Sequence, residues 1–496
     1  MTDFKPNKYQ ERIFDFVKNG EGNCIVEAVP GSGKTTVIVK ASELIPKGQS
    51  IVFLCFNTEI RDELQERLPR GIKASTLHQL GKRMFYMNGY GEHTVKKDKL
   101  ASLVDYRIRN YDEKEQKLLG QFLMDIVPKV KNSLCNINKE EISRLPSSYF
   151  NITDEQVMLV KDILNKSIDT MKDIDFDDMI WLPIKMGFEF PDNRKYDWVM
   201  IDELQDISKV QFELIKKICN DNTRIIGVGD TNQCVYQFRC ADSSSMNNFR
   251  NHFNTKEFPL SISYRCPKNV VKLASEIFPQ IEASDDAIDG FVNDISEDKM
   301  VSVVKQGDMI LCRTNAPLVK ILFALIRRGK KARIKGRSSA LIQIRSYIDS
   351  CRPKNIDDLN TSIRSTRNNA TNELELISKQ KKYNEHDYRK RRKLASLIDL
   401  CDTVSYFSRE FDSIFALRSK LDDFFTDEKE DITLSTIHKV KGLEADRVFI
   451  YRYDLMPHPF AESVEEFVEE TNIEYVAITR SKNELYFISE NNENKY

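Results

Sequence analysis

An α/β protein with two parallel sheets is what this sequence predicts, on three observations. Short apolar runs of strand length recur at Cys24–Ala28, Ser50–Cys55, Trp198–Ile201, Arg224–Val228, Met309–Cys312, Ala332–Ile334 and Arg447–Tyr451. Stretches of helical spacing separate them, the pattern of parallel strands connected through helices. At 496 residues the chain is also long for one core, and this length suggests about three or four compact units.

The first run breaks into Val29-Pro30-Gly31-Ser32-Gly33-Lys34-Thr35-Thr36, with a helical stretch from Val37 to Leu44 behind it. Strand, glycine loop and helix in that order make a phosphate cradle. Gly31 and Gly33 let backbone N–H groups turn inward, and the helix presents its positive end. Lys34 reaches the β- and γ-phosphates, and the Thr35 hydroxyl can ligate Mg²⁺. The pattern opens on Ala28 where its strict form has Gly. A cradle alone does not separate kinases, switches and motors.

Residues from roughly Met87 to Lys166 and from roughly Ser338 to Thr426 are rich in Lys, Glu, Asp, Asn and Leu at helical spacing. Few β-branched runs interrupt them, so both predict mainly helical insertions. The second holds Lys379, Lys381, Lys382, Arg389, Lys390, Arg391, Arg392 and Lys393, read either as a solvated helix face or as phosphate contacts.

Trp198–Ile201 ends in Asp202-Glu203-Leu-Gln205-Asp206. Downstream of a phosphate loop, Asp202 can hold Mg²⁺ through water and Glu203 can orient or deprotonate the attacking water. The next run ends in Gly227-Val-Gly229-Asp230-Thr-Asn-Gln233-Cys-Val-Tyr236-Gln-Phe238-Arg239. Gln233 can hydrogen-bond both a γ-phosphate and the water. Tyr236, Phe238 and Arg239 alternate aromatic faces with a guanidinium, suited to stacking on unpaired bases or, equally, to filling a core.

Composition bounds the rest. With 41% hydrophobic and 30% charged residues the chain is neither a disordered polyelectrolyte nor a membrane protein. Ten cysteines without a Cys-x-x-Cys pair argue against a zinc site and a disulfide framework. The expectation is reduced thiols in the cytoplasm (host cytoplasm if the source is viral), with no membrane partner. A formal net charge of −1 supplies no global attraction to nucleic acid, so such contacts must be local.

Taken in order, these motifs resemble the UvrD/Rep/PcrA-like branch of superfamily 1 helicases. Tyr9-Gln10 is similar to that family's adenine-reading glutamine, Phe53-Leu-Cys-Phe56-Asn57 to its first DNA-contact motif and Ser75-Thr76-Leu-His78 to its second. Asp175-Phe-Asp177-Asp178-Met resembles the segment before the acidic motif. Ile262-Ser263-Tyr264-Arg265 and Leu311-Cys-Arg313-Thr314-Asn315 resemble the motifs opening the second motor domain. Ser435-Thr436-Ile-His438-Lys439-Val-Lys441-Gly442-Leu443-Glu444 and Glu469-Glu470 through Thr479-Arg480 resemble the last two.

The resemblance implies two RecA-like P-loop domains with parallel sheets, each carrying a mainly helical insertion. The expected division is 1–86, 167–257 for the first domain with 87–166 inserted, and 258–337, 427–496 for the second with 338–426 inserted. It implies ATP and Mg²⁺ as cofactors, Tyr264 stacked on adenine, Glu444 on the ribose, and Arg265 and Arg480 on the γ-phosphate. Phe56, Thr76, His78, Tyr236, Phe238, Arg239, Thr436 and His438 would line a single-strand track. The expected activity is 3′–5′ translocation on single-stranded DNA coupled to unwinding of forked duplex, with protein partners in repair, recombination or replication. The alternatives are a translocase that displaces proteins and an ATP-gated DNA-binding subunit of a repair, recombination or defence complex.

Overall fold

A computed structural model describes residues 4–55, 57–145, 152–233, 245–335, 339–379, 385–426, 431–459, 461 and 464–490. The chain divides into two compact units between Ser261 and Ile262.

In the first unit, β1 (Cys24–Ala28), β2 (Ile51–Cys55), β3 (Lys73–Thr76), β4 (Trp198–Ile201), β5 (Arg224–Gly229) and β6 (Lys256–Leu260) form one sheet. Their order is β3-β2-β4-β5-β1-β6, and every pairing is parallel. Ile25, Val52, Leu54, Val199 and Ile201 enter one core, while Val26, Phe53, Met200 and Ile226 enter another. Alternate side chains of a strand point to opposite faces, so a sheet covered on both needs continuously apolar strands. That is why these runs were legible.

Helices Lys99–Ile108, Glu113–Ser133, Lys139–Arg144 and Asp154–Asp169 occupy most of the first expected insertion. A buried ion cluster ties three of them, Lys99–Ile108, Glu113–Ser133 and Asp154–Asp169, to the helix Phe176–Lys185. Lys99 Nζ donates to Asp178 Oδ2 at 2.6 Å, Lys131 Nζ to Asp178 Oδ1 at 2.7 Å, and Ser167 Oγ to Asp178 Oδ1 at 2.9 Å. Asp178 is wholly buried, a position a carboxylate occupies only when paired and hydrogen-bonded.

The second unit's sheet comprises β7 (Phe291–Asp294), β8 (Met309–Cys312), β9 (Ala332–Lys335), β10 (Phe425–Thr426), β11 (Ile432–Thr436), β12 (Ala445–Tyr451) and β13 (Ser481–Ile488). Its order is β7-β13-β12-β8-β11-β9-β10, again wholly parallel. Helices Ser339–Cys351, Ile356–Ser378, Glu385–Ser408 and Ile414–Lys420 lie between β9 and β10. Their Ile344, Ile348, Ile363, Phe407 and Leu417 share one core with Ile310, Leu434 and Phe449 of the sheet.

Two expectations change. The division after residue 257 moves to Ser261, because β6 pairs with β1 along Lys256–Leu260 and so belongs to the first sheet. The basic run is neither a uniformly solvated face nor a free phosphate surface. Lys390 pairs with Glu373 at 2.5 Å, Arg391 is 3% exposed and Arg392 pairs with Glu469 at 3.0 Å. The side chain of Arg389 lies outside the described residues.

Candidate active site

Because all six strands of the first unit's large sheet run the same way, the segments leaving β1, β2, β3, β4 and β5 share one edge. This is the edge where open α/β sheets bind ligands. Gly31 and Gly33 adopt φ of 73° and 77°, left-handed values that a side chain resists. The loop is pinned from beneath. The Val29 N–H donates to the Leu260 carbonyl at 3.1 Å, and Ser32 Oγ to the Val29 carbonyl at 2.7 Å. Gly33 caps the helix Lys34–Ser42, whose first amides are left to point into the loop.

Thr35 Oγ1 donates to Asp202 Oδ2 at 2.8 Å, so the two oxygens expected at a metal converge. Among the described residues no group of three or more His, Cys, Asp or Glu side chains could hold a metal. One hydroxyl and one carboxylate fit Mg²⁺, which keeps waters and takes substrate phosphates as its remaining ligands. Burial, reinforced by the Glu203 charge, raises the Asp202 carboxyl above its usual range although Lys34 opposes this. A cation there would restore the charged form.

Glu203 has φ 54° and ψ 45°, a conformation costing a non-glycine residue about 1–2 kcal/mol. The turn aims its carboxylate back at the loop, 3.4 Å from Lys34 Nζ. Gln205, which the sequence reading quoted without assigning a role, connects this acid to the next motif. Its Nε2 donates to Glu203 Oε2, and its Oε1 accepts the Asp230 N–H at 3.0 Å. A Cβ on Gly229 would lie 2.5 Å from that Oε1, so only glycine lets the amide pass. Asp230 Oδ2 then accepts Gln233 Nε2 at 2.7 Å. The result is one hydrogen-bonded path from Glu203 to Gln233.

Gln10 lies in the helix Lys8–Asn19 and is buried. Its Oε1 accepts the Asn7 N–H at 3.0 Å in a capping box, so the amide NH₂ is its remaining donor group.

The expected strand-contacting residues divide. Phe56, Tyr236, Phe238 and Arg239 lie outside the described residues. Cys55, which precedes Phe56, sits opposite Thr76 in the β2–β3 register. Thr76 is buried, and its hydroxyl accepts the Gln79 N–H at 3.2 Å as a helix cap. His78 is half-buried, and burial lowers its pKa. Its ring meets Phe176 edge-on at 6.0 Å. Phe176 is 49% exposed although it begins a helix cemented by the buried ion cluster. Sequence reasoning gave it no role, since one Phe between carboxylates carries no exposure signal.

In the second unit the expected residues gather at opposite edges of the sheet. Glu444 immediately precedes β12 and Arg480 precedes β13, at the edge where the strands start. Arg265 Nε pairs with Glu444 Oε2 at 2.5 Å, and Lys482 with Glu444 Oε1 at 2.8 Å. Burial works to raise the Glu444 carboxyl, but these two cations outweigh it and hold it low. Arg265 Nη1 donates to the Thr479 carbonyl at 3.4 Å. Arg480 is 1% exposed, with Nε donating to the Val476 carbonyl at 2.9 Å and Nη1 to Leu443 at 3.3 Å. Tyr264, at 53% exposed, and Glu444 face solvent, whereas Arg265 is half-buried and Arg480 buried.

Thr436 ends β11, with His438 in the turn beyond, at the edge where strands finish. Burial first, then the positive Arg313, Arg392, His458 and Lys439, push His438 down to about 3. It is a neutral imidazole at physiological pH. Arg313 in turn makes a bidentate bond to Glu470, with Nε at 2.9 Å and Nη2 at 2.6 Å.

Two parallel sheets of the RecA-like kind, the first opening into a phosphate loop faced by a Thr–Asp pair, define a P-loop nucleotide hydrolase. Comparison with known proteins makes the class specific. A model for the UvrD/REP helicase N-terminal domain matches residues 9–254, and one for the UvrD-like helicase C-terminal domain matches residues 324–492. The chain belongs to the UvrD-like superfamily 1 DNA helicases and so to a class of ATP-hydrolysing enzymes.

The chain is 22% identical to a probable DNA helicase II homolog of Mycoplasma genitalium, over 94% of this chain and 82% of that protein. It is 25% identical to the ATP-dependent DNA helicase PcrA of Bacillus subtilis, over 53% of this chain and 38% of that one. Against the ATP-dependent DNA helicase Rep of Buchnera aphidicola subsp. Acyrthosiphon pisum it is 27% identical, over 66% of this chain and 52% of that one. The matched regions thus span from under two fifths to about four fifths of these relatives.

Proposed function

We propose that this protein hydrolyses ATP to move 3′ to 5′ along single-stranded DNA and thereby opens forked duplex. The observation that carries the reading is the path Glu203–Gln205–Asp230–Gln233, which begins beside Lys34. It ends one residue before the segment bearing Tyr236, Phe238 and Arg239. A change at the attacking water is thereby joined to residues suited to holding bases. The 3′–5′ direction rests on family likeness alone.

In this reading Lys34 and the loop amides hold the phosphates, and Thr35 and Asp202 are the residues that would hold Mg²⁺. Bound there, the ion would neutralise charge on the β- and γ-oxygens. Glu203 takes a proton from the attacking water and Gln233 orients it. Gln10 donates to adenine, Tyr264 stacks on it and Glu444 meets the ribose. Arg265 and Arg480 offset charge on the transferring phosphoryl group. His78, Phe176 and neutral His438 contact the strand, together with Phe56, Thr76, Tyr236, Phe238, Arg239 and Thr436. Cytoplasmic placement and protein partners in repair, recombination or replication belong to the same proposal. Among the described residues no helix is long and apolar enough to cross a membrane.

The test is ATP turnover with and without single-stranded DNA, beside unwinding of duplexes tailed at either end. Turnover that DNA stimulates, with unwinding only from a 3′ tail, supports the reading. Stimulated turnover without unwinding would identify a translocase, and a DNA affinity change without turnover an ATP-gated subunit.

A further inference from the structure

Glu27 is a carboxylate in an otherwise apolar strand, β1, one residue before the phosphate loop begins. In the sheet it lies opposite Gly229, the last residue of β5. It shares a face with Ile25, whose core also takes Met246 and Phe249 of the helix Ser245–Phe253. Two groups converge on its carboxylate. Thr231 Oγ1, in the turn that carries Gln233, donates to both oxygens at 3.1 Å. Arg250 Nη2, on that helix, pairs with Oε1 at 2.5 Å, and Arg250 Nε reaches Glu257 of β6 at 2.5 Å.

Thr231 precedes, and Arg250 follows, the stretch 234–244 that contains Tyr236, Phe238 and Arg239. One side chain therefore fastens both flanks of that stretch to the strand that feeds the phosphate loop. The contacts are unneeded for the sheet, whose backbone pairing β1–β5 and β1–β6 is complete without them. The Glu27 side chain is 30% exposed and fills neither core of the unit. A charged side chain here must earn its place elsewhere.

We propose that Glu27 is a positioning residue that couples strand binding to ATP turnover, acting through Thr231 and Arg250 without touching nucleotide or DNA. The proposal rests on the motor reading above. Displacement of the flanks when a strand binds is transmitted through the carboxylate to β1 and the loop, and the reverse holds when the phosphates leave. Glu27→Gln keeps an acceptor for Thr231 but loses the charge facing Arg250. Thr231→Val keeps the ion pair and loses the hydroxyl.

The experiment measures, in the full chain, ATP turnover without DNA, turnover as a function of oligo(dT) concentration, and the melting temperature. Parent turnover that oligo(dT) does not stimulate would reject the motor reading itself, and this proposal with it. With a stimulated parent, both variants should keep the DNA-free rate within about twofold. Each should lose about tenfold in stimulation, and the double variant should lose little more than either, as expected of one interacting unit. Equal loss of the DNA-free and stimulated rates would make Glu27 merely structural. Undiminished stimulation in both would overturn the coupling. Should Glu27→Gln fail to fold, Thr231→Val alone decides between these outcomes.

Discussion

Glu203 occupies a left-handed turn that places its carboxylate against Lys34, and the task proposed for it there is to accept a proton. Glu203→Gln keeps the shape but not the base. Nucleotide affinity should persist while single-turnover hydrolysis falls by about 10² to 10⁴; parallel loss of nucleotide binding would make this acid structural. Asp202 offers a test by pH. Its carboxyl is raised by burial and by Glu203, so ionisation costs the folded, metal-free protein. That cost is absent below the unfolded carboxylate value near ~4 and complete once pH has passed the raised folded value. Asp202→Asn escapes it. Without metal, the variant should melt above its parent at about pH 8 and near it at about pH 4, while Mg²⁺-dependent hydrolysis is lost. A melting difference constant across pH would refute the assignment.

Among the elements, the helix Phe176–Lys185 shows how an exposed aromatic, Phe176, is held in place. Lys131 and Lys99 balance Asp178 in its interior, and Lys131→Met should cost about 3–5 kcal/mol, because a buried carboxylate is left half-compensated. Urea unfolding would measure it; a change below about 1 kcal/mol would mean water reaches the cluster. The basic run on the helix Glu385–Ser408 should respond by burial. Arg391→Gln should lower the denaturation midpoint most, and exposed Lys393→Gln least. Equal effects would restore the solvated-face reading.

At the scale of the whole molecule, the second unit carries its own acid sensitivity. His438 is pushed down to about 3 and His458 to about 4, burial being the first cause of each. Unfolded, both would titrate near ~6.5. Stability is therefore intact above that value and declines as pH falls toward the folded values, since the unfolded chain binds protons first. His438→Gln should flatten the decline without removing it, because His458 remains. An unaltered acid limb in a pH series of denaturation midpoints would show that His438 titrates normally.

The sequence by itself determined the sheets' interiors and the order of the chemistry. Cys24–Ala28, Trp198–Ile201 and Met309–Cys312 read as strands because a strand covered on both faces must be apolar throughout. The phosphate loop read through its glycines, whose positive φ few other residues accept. Strands β3, β6, β7, β10, β11 and β13 escaped notice. β3, β6, β7 and β10 lie at sheet edges, where polar side chains and Pro259 are tolerated, β11 interleaves Thr433, Ser435 and Thr436 with its apolar residues, and β13 is apolar mainly toward its end. Family likeness, through ordered motifs, supplied the functional assignment. Only the tertiary structure decided that Gln205 bridges Glu203 to Asp230, that Phe176 stands exposed beside His78, and that Glu27 gathers Thr231 and Arg250. Each pairing joins residues brought together by strand order, which no local pattern of residue types records.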